Sequence, residues 1–265
     1  MNHSYLRQLC ALAIFLACLN SYAATTQPTM ALQQIRLDLS GSLGDFYLLY
    51  GVDNDPAHLA SVQQRIIQTD QLLRQLDAPA DGDGLNTLLL LREQWPAYRA
   101  LLQELASSLQ QQLSPSGGSI AELIQLNRLL TRLSDSLDVY YQQPDLMTKR
   151  SRVLAMQLQT LTTDYLAHSV GANALGGDNP ALDVQSKVFS EGLQQLRQKY
   201  KDGEAQALLH SIERRWRYIE PSLRYYQKDN VPTLVNRYSR QIIVDLEQLP
   251  TLAQPAQEAQ EALLQ

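Results

Sequence analysis

The stretch ERRWRYIEPSLRYYQKDNVPTLVNRYSRQIIVDLEQL, at residues 213–249, reads as two helices joined at Asn230-Val231-Pro232. The same layout occurs earlier in the chain, at residues 92–140. A tryptophan and a hydrophobic–Asn–Arg triplet recur in the same order: Trp95 with Trp216, and Leu126-Asn127-Arg128 with Val235-Asn236-Arg237. The chain therefore reads as one helical unit that occurs twice.

The composition favours helices throughout the chain. About 45% of the 265 residues are hydrophobic, which is enough for a packed core and argues against global disorder. Leucine, glutamine and alanine dominate, while glycine is sparse and β-branched residues do not alternate. Apolar residues recur at helical spacing, most regularly at Leu123, Leu126, Leu130, Leu133, Leu137 and Tyr140. The predicted fold is all-α: two tandem, duplicated antiparallel four-helix-bundle units, with about eight helices and an elongated shape.

The breaks between these helices give the predicted boundaries. Residues 1–23 are a signal peptide, 24–143 the first helical unit, 144–250 the second, and 251–265 a frayed tail. Gln143-Pro144-Asp145 marks the midpoint, residues 170–180 form the longest irregular stretch, and Pro250 is predicted to end the last helix. This layout leaves two arrangements open: two separate bundles, or one pseudo-symmetric bundle.

The first residues have the pattern of a secretory signal. Arg7 supplies a positive charge, residues 9–19 are apolar, and a small-x-small site precedes cleavage after Ala23. This pattern predicts a periplasmic or secreted protein that has no stable membrane insertion after cleavage. The alternatives are an uncleaved anchor or a lipoprotein attached through Cys18. Both cysteines, Cys10 and Cys18, lie inside the signal, so the mature chain is expected to have no disulfide.

Ordinary catalytic machinery is missing from the sequence. Outside the signal, the three histidines, His58, His168 and His210, lie at different stages of different helices, and no metal-binding pair or cluster is formed. No nucleophile elbow, P-loop or dinucleotide-binding motif is present. The net charge of -5 also argues against a general nucleic-acid binder. We therefore predict no catalytic residues, no metal, no cofactor and no nucleic-acid partner.

A basic run opens the predicted fifth helix. Lys149-Arg150-Ser151-Arg152, followed by residues 153–157, reads R-x-R-hydrophobic-Leu-small-x-Gln. The run resembles the periplasmic sensing domains of type IV pilus chemotaxis transducers (the PilJ N-terminal family) and of nitrate/nitrite sensor kinases. The resemblance covers this one motif and the overall layout, and Lys149 stands where those domains usually have glycine. In the first half, only Arg36 occupies a comparable position.

The resemblance implies an extracytoplasmic four-helix bundle that binds a small ligand or anion between its helices. It further implies that Arg150 and Arg152 contact the anion, since guanidinium groups suit planar oxyanions. The alternative is a solvated basic turn at the start of a helix. Such a turn is slightly unfavourable for the helix dipole, which favours some use for these charges.

An Arg/Tyr-rich run is a second candidate site. Its members are Arg214, Tyr218 and Tyr225 on the first helix of the opening stretch, and Arg237 and Arg240 on the second. Tyrosine and arginine are typical anchors of protein interfaces. Tyr218 and Tyr225 lie seven residues apart and off the apolar stripe, which predicts an exposed aromatic–basic strip that contacts a protein partner. The alternative is that the arginine stems simply pack over the tyrosine rings.

Asn127 and Asn236 are a third candidate, as each lies beside the apolar stripe of the last helix of its half. A buried amide needs hydrogen-bond partners. The asparagines are therefore predicted to touch a ligand. The alternatives are that they complete a polar network or specify the register of the helices.

These features predict a non-enzymatic exported binding or sensing-accessory protein that recognises a small anion or a membrane receptor. The alternative is a structural or assembly protein of an envelope machine such as a pilus, which acts through contacts with an envelope protein partner. An enzyme is a third alternative, and clustered carboxylates beside His168 or His210 would favour it.

Overall fold

The computed structural model describes residues 28–53, 55–176, 181–200, 203–226 and 230–262, with side chains as far as Leu252. Within these residues the chain is all-α, as predicted, with nine α-helices and no strand. The helices are α1 (Pro28–Gly51), α2 (Pro56–Gln75), α3 (Gly82–Gln110), α4 (Gly117–Leu137), α5 (Leu146–Ser169), α6 (Asn173–Gly176), α7 (Leu182–Lys199), α8 (Gly203–Arg224) and α9 (Pro232–Ala262), with a 3-10 turn at Asp138–Tyr140. The predicted signal peptide and its cysteines lie outside the described residues.

Short polar side chains begin several of these helices. The carboxylate of Asp55 accepts a hydrogen bond from the backbone N–H of Ala57 at the start of α2. Asp81, Ser116 and Asp145 cap α3, α4 and α5 in the same way. Each cap satisfies backbone donors that have no partner within the helix and stabilises it by about 1 kcal/mol.

Each half of the chain packs four long helices together. In the first half α1 packs on α2 and α4, and α3 packs on α4; in the second, α5 packs on α7 and α9, and α8 packs on α9. The halves meet through α1 and α5, which lie parallel: Gln33 Nε2 donates to the Arg152 carbonyl at 3.2 Å, and the hydroxyls of Ser40 and Thr163 lie 3.1 Å apart. These two helices are therefore the centre of the molecule, and buried residues of both halves form one continuous hydrophobic core.

The two tryptophans occupy equivalent places in the two halves. Trp95 Nε1 donates to Asp70 on the preceding helix, and Trp216 Nε1 donates to Ser190 on its own preceding helix. Both indoles are buried against the core. The repeated sequence pattern thus corresponds to a repeated structural unit.

Prolines inside the helices interrupt them less than we expected. The prediction that Pro250 ends the last helix is wrong, because α9 continues to Ala262. A proline inside a helix removes one backbone hydrogen bond and costs about 3 kcal/mol. Buried Leu249 and half-buried Leu252 hold α9 against the core on both sides of Pro250. The stretch predicted as irregular at residues 170–180 also contains the short helix α6.

A helix that spans a lipid bilayer needs about 20 consecutive, mostly apolar residues. Within the described ranges, no helix has a long enough apolar segment to cross a membrane.

Candidate functional site

The first turns of α1 and α5 lie side by side and open into a cleft that α4 and α7 complete. The cleft has a volume of about 520 Å³. This lies within the size range of small-molecule sites, roughly 300–1,000 Å³. The parallel packing of α1 and α5 brings Arg36 and Arg152, from the two halves of the chain, into the same cleft.

Three cationic side chains line this cleft: Arg36, Lys149 and Arg152. Two carboxylates, Asp135 and Asp138, line it as well. Arg36 pairs with Asp135 at 2.6 Å, yet its Nε is buried and has no hydrogen-bond partner among the described residues. The cleft therefore has a surplus of one positive charge.

Arg152 lies half-buried on the ridge between this cleft and a second cavity of about 710 Å³. Among the residues that the structure describes, its guanidinium makes no hydrogen bond or close ion pair. Burial lowers the pKa of Arg152, and nearby carboxylates, Glu247 foremost, oppose that shift. Arg152 is therefore a partly desolvated cation, and its guanidinium N–H groups are available to donate hydrogen bonds to a ligand.

Three exposed valines also line the cleft. Val153 of α5 and Val184 and Val188 of α7 line it, and their exposed fractions are 46%, 53% and 45%. Gln33, Gln157 and Thr160 supply amide and hydroxyl groups to the same lining. The cleft thus offers both charged groups and hydrocarbon to a ligand.

The structure separates the two arginines that the sequence placed together. Arg152 lines the cleft, whereas Arg150 lines a neighbouring cavity of about 370 Å³ between α5 and α7. Residues two apart on an α-helix lie about 200° apart around its axis, so they point in nearly opposite directions. Lys149 borders both cavities.

The two asparagines lie inside the helical packing. Asn127 Nδ2 donates to the Leu39 carbonyl at 2.8 Å and to the Tyr98 hydroxyl at 3.0 Å. Asn236 is buried on α9. The bonds of Asn127 join α4 to α1 and α3, which favours the alternative that this amide completes a polar network and fixes the helix register.

The aromatic–basic strip, defined as Arg214, Tyr218, Tyr225 and Arg237, lies on the surface of α8 and α9. All four of its side chains are exposed. The Tyr218 ring packs against that of Tyr238 on α9, at 5.2 Å between centroids. Arg240, which we predicted to belong to the same strip, instead points toward α1, where it pairs with Asp45.

Arg240 belongs to a buried ionic network that sequence reasoning missed. Its guanidinium pairs with Asp45 of α1, and Arg65 of α2 pairs with both Asp45 and Asp38, each at 3.0 Å. Asp38 and Asp45 are almost wholly buried. At Gly41 an added Cβ would lie 2.3 Å from Cζ of Arg65, so glycine makes room for the guanidinium to lie against α1. The sequence feature that could have indicated this network is the presence of Asp38, Gly41 and Asp45 within the otherwise apolar helix α1.

Replacement of Asp38 with asparagine should remove a pH dependence of stability. Burial raises the pKa of Asp38 from 3.8 to about 6, while the charge of Arg65 and a hydrogen bond from Gln34 oppose that rise. Because the folded state takes up this proton before the unfolded state, protonation of Asp38 stabilises the fold as the pH falls. As the pH falls from 7.5 to 5, the free energy of unfolding of wild type should rise by about 1 kcal/mol relative to that of Asp38→Asn.

Urea unfolding of the two proteins at both pH values measures this difference. Burial and the charge of Asp38 raise the pKa of Glu247, so both proteins also carry Glu247→Gln to keep its titration out of the comparison. A wild type that loses stability relative to the variant as the pH falls would contradict the assigned pKa.

The histidines lie apart from the cleft. His58 Nε2 lies 2.8 Å from Asp53 Oδ1, and His168 packs edge-on against Tyr226 with its ring centroid at 5.0 Å. His210 borders a separate cavity between α7 and α8. Among the described residues, no group of three or more histidine, cysteine or acidic side chains is placed to hold a metal ion.

Comparisons of the chain with protein-family models, with curated proteins and with solved structures gave no match.

Proposed function

We propose that this chain is a non-enzymatic exported binding or sensing-accessory protein that holds a small anion in the cleft between α1 and α5. The observation that carries the proposal is Arg152. Its guanidinium is half-buried in the wall of the cleft that Arg36 also lines, and among the described residues no carboxylate oxygen lies within 4 Å of it, although Glu247, Asp138 and Asp145 act on it from farther away. Taking a cation partly out of water without a partner costs free energy, and a bound anion would recover it.

The electrostatic balance of the cleft also favours an anion. Arg36, Lys149 and Arg152 outnumber Asp135 and Asp138 by one charge. Arginine presents a planar fork of donors that matches a carboxylate or another planar oxyanion, and such charge-assisted bonds are among the strongest in proteins.

The compartment is part of the same proposal and rests on the sequence. Arg7, the apolar residues 9–19 and the site after Ala23 have the form of a cleaved signal. The likeness of the run at residues 150–157 to extracytoplasmic sensing domains supports the same compartment. The partner included in this proposal is a membrane receptor.

A thermal-shift screen of the mature chain tests the proposal. The panel contains nitrate, nitrite, phosphate, short and medium carboxylates and amino acids, with matched cations as controls. A ligand bound by the native state raises the melting temperature by mass action, and a concentration of 100 times Kd adds about 2.7 kcal/mol. We expect at least one anion to raise the melting temperature in proportion to the logarithm of its concentration. A flat response to every anion at millimolar concentration would overturn the proposal.

The second candidate function is a structural or assembly role in the envelope, and the aromatic–basic strip favours it. Tyr218 on α8 and Tyr225 in the turn that follows it are exposed by 58% and 59%. Exposed tyrosine and arginine side chains are typical anchors of protein interfaces. A flat anion screen together with a complex that the Tyr218→Ala variant disrupts would favour this role over ligand binding.

A further inference from the structure

We infer that the ligand of the cleft is an aliphatic monocarboxylate, with its carboxylate at Arg152 and its hydrocarbon chain between α5 and α7. This inference rests on the proposed function, since it names the class of anion that the cleft takes. The juxtaposition that carries it is a groove between α5 and α7, with exposed valines in its lining, that adjoins the cleft and shares Lys149, Val153 and Val188 with it.

The groove is formed by apolar side chains that a folded protein would ordinarily cover. Val184 lines the cleft, Val153 and Val188 line both the cleft and the adjoining cavity, and Leu146 lines that cavity with an exposed fraction of 61%. Single exposed apolar residues are common and need no explanation. Four that share one groove form an apolar patch, and such patches mark binding sites.

The floor of the groove depends on close packing between α5 and α7. An added Cβ at Gly192 of α7 would lie 2.5 Å from Cδ2 of Leu154 on α5. Glycine at this position therefore lets Leu154 extend beneath α7. Both residues line the adjoining cavity, so Leu154 adds a further apolar side chain to it, while the charged residues Lys149, Arg150 and Glu191 line the same cavity.

The charges define the head group of the ligand. The surplus of one positive charge suits a monoanion, because Asp135 and Asp138 in the same lining would repel a second negative charge. Lys149 borders both the cleft and the adjoining cavity, so a cation lies at the junction where the head group would meet the chain. A carboxylate with a hydrocarbon chain satisfies both sides of this junction.

Isothermal titration calorimetry with acetate, butanoate, hexanoate and octanoate tests the inference. Each methylene that enters the groove should tighten binding about fourfold. Octylamine has a similar chain with the opposite charge, and it should bind at least tenfold more weakly than octanoate. The Val188→Ser variant should weaken octanoate binding severalfold and leave acetate binding within about twofold.

The matched control is Val244→Ser on α9. Val244 is exposed by 52%, similar to Val188, but lines neither the cleft nor the adjoining cavity. This variant should bind octanoate as wild type does.

The possible outcomes separate the inference from the function on which it rests. Equal affinity for acetate and octanoate would leave anion binding standing and overturn the hydrocarbon assignment. Octylamine binding as tightly as octanoate, or equal effects of Val188→Ser and Val244→Ser, would also overturn it. Absence of binding by every carboxylate and by every inorganic anion would overturn both the inference and the proposed function.

Discussion

Replacement of Asp45 with asparagine should lower the free energy of unfolding by about 3–5 kcal/mol. Asp45 is 1% exposed and accepts hydrogen bonds from two guanidinium groups, those of Arg65 and Arg240. Asparagine keeps the shape of the side chain but removes the charge. Both arginines would then lose their shared carboxylate: the largely buried Arg65 would keep only Asp38, and Arg240, whose side chain is 36% exposed, would have no ion-pair partner within 4 Å among the described residues. Loss of the charge of a buried ion-pair partner is far more costly than a broken surface pair.

Urea unfolding followed by circular dichroism measures this change. The matched control is Glu191→Gln, which removes one partner of the exposed pair between Lys187 and Glu191 on α7. Exposed pairs contribute little, so the control should change stability by less than about 1 kcal/mol. If Asp45→Asn were no more destabilising than this control, the network would not hold α1, α2 and α9 together.

Replacement of Trp216 with alanine should lower the free energy of unfolding by about 3–5 kcal/mol, and replacement of Trp95 with alanine should lower it by a similar amount. Trp216 is 4% exposed and packs on Phe189, with 4.5 Å between the ring centroids. Its indole N–H also donates to Ser190 at 3.0 Å. Truncation leaves a large cavity and removes one hydrogen bond in the second half, and Trp95→Ala does the same in the first, where the lost acceptor is Asp70.

The phenylalanine variants separate packing from hydrogen bonding at these two sites. Trp216→Phe keeps most of the apolar volume and loses the donor, so it should cost markedly less than the alanine variant, about 1–2 kcal/mol. Denaturant unfolding of all four variants provides the comparison. A large loss at one tryptophan and a negligible loss at the other would contradict the equivalence of the two halves.

Local patterns were sufficient to predict most of the helices. The Asp55-Pro56 pair begins α2 as its capping chemistry indicates, because the carboxylate satisfies a backbone N–H that lies within two residues. The apolar stripe of α4 is buried at Leu123, Leu130 and Leu137 as its spacing predicts. Caps and stripes depend on residues close in the chain, and so they can be read from sequence.

Contacts between distant segments could not be predicted in this way. Ser40 meets Thr163 because α1 and α5 pack in parallel, and nothing local to either residue specifies that arrangement. The same packing brings Arg36 and Arg152 into the lining of one cleft. Asp38 and Asp45 stand on the apolar helix α1, which should have indicated a buried ionic site, but their partner Arg65 comes from another helix.

The pairing of Arg150 with Arg152 is a different case, because helix geometry alone argued against it. Side chains at positions i and i+2 do not share a helix face. The motif resemblance placed both arginines on one anion, whereas the structure leaves Arg152 with Arg36 and Lys149. The candidate site therefore combines residues of both halves that no single stretch of sequence contains.

The most direct test of the account is calorimetric titration of the tightest anion from the screen into wild type, Arg152→Gln and Arg237→Gln. Arg237 is an exposed arginine on α9 that lines neither the cleft nor the second cavity, so its variant controls for the loss of one positive charge. We expect Arg152→Gln to weaken binding at least tenfold, since a charge-assisted hydrogen bond contributes about 1.5–3 kcal/mol, and Arg237→Gln to bind as wild type does. Equal affinities of the two variants would contradict the assignment of the anion to the cleft between α1 and α5.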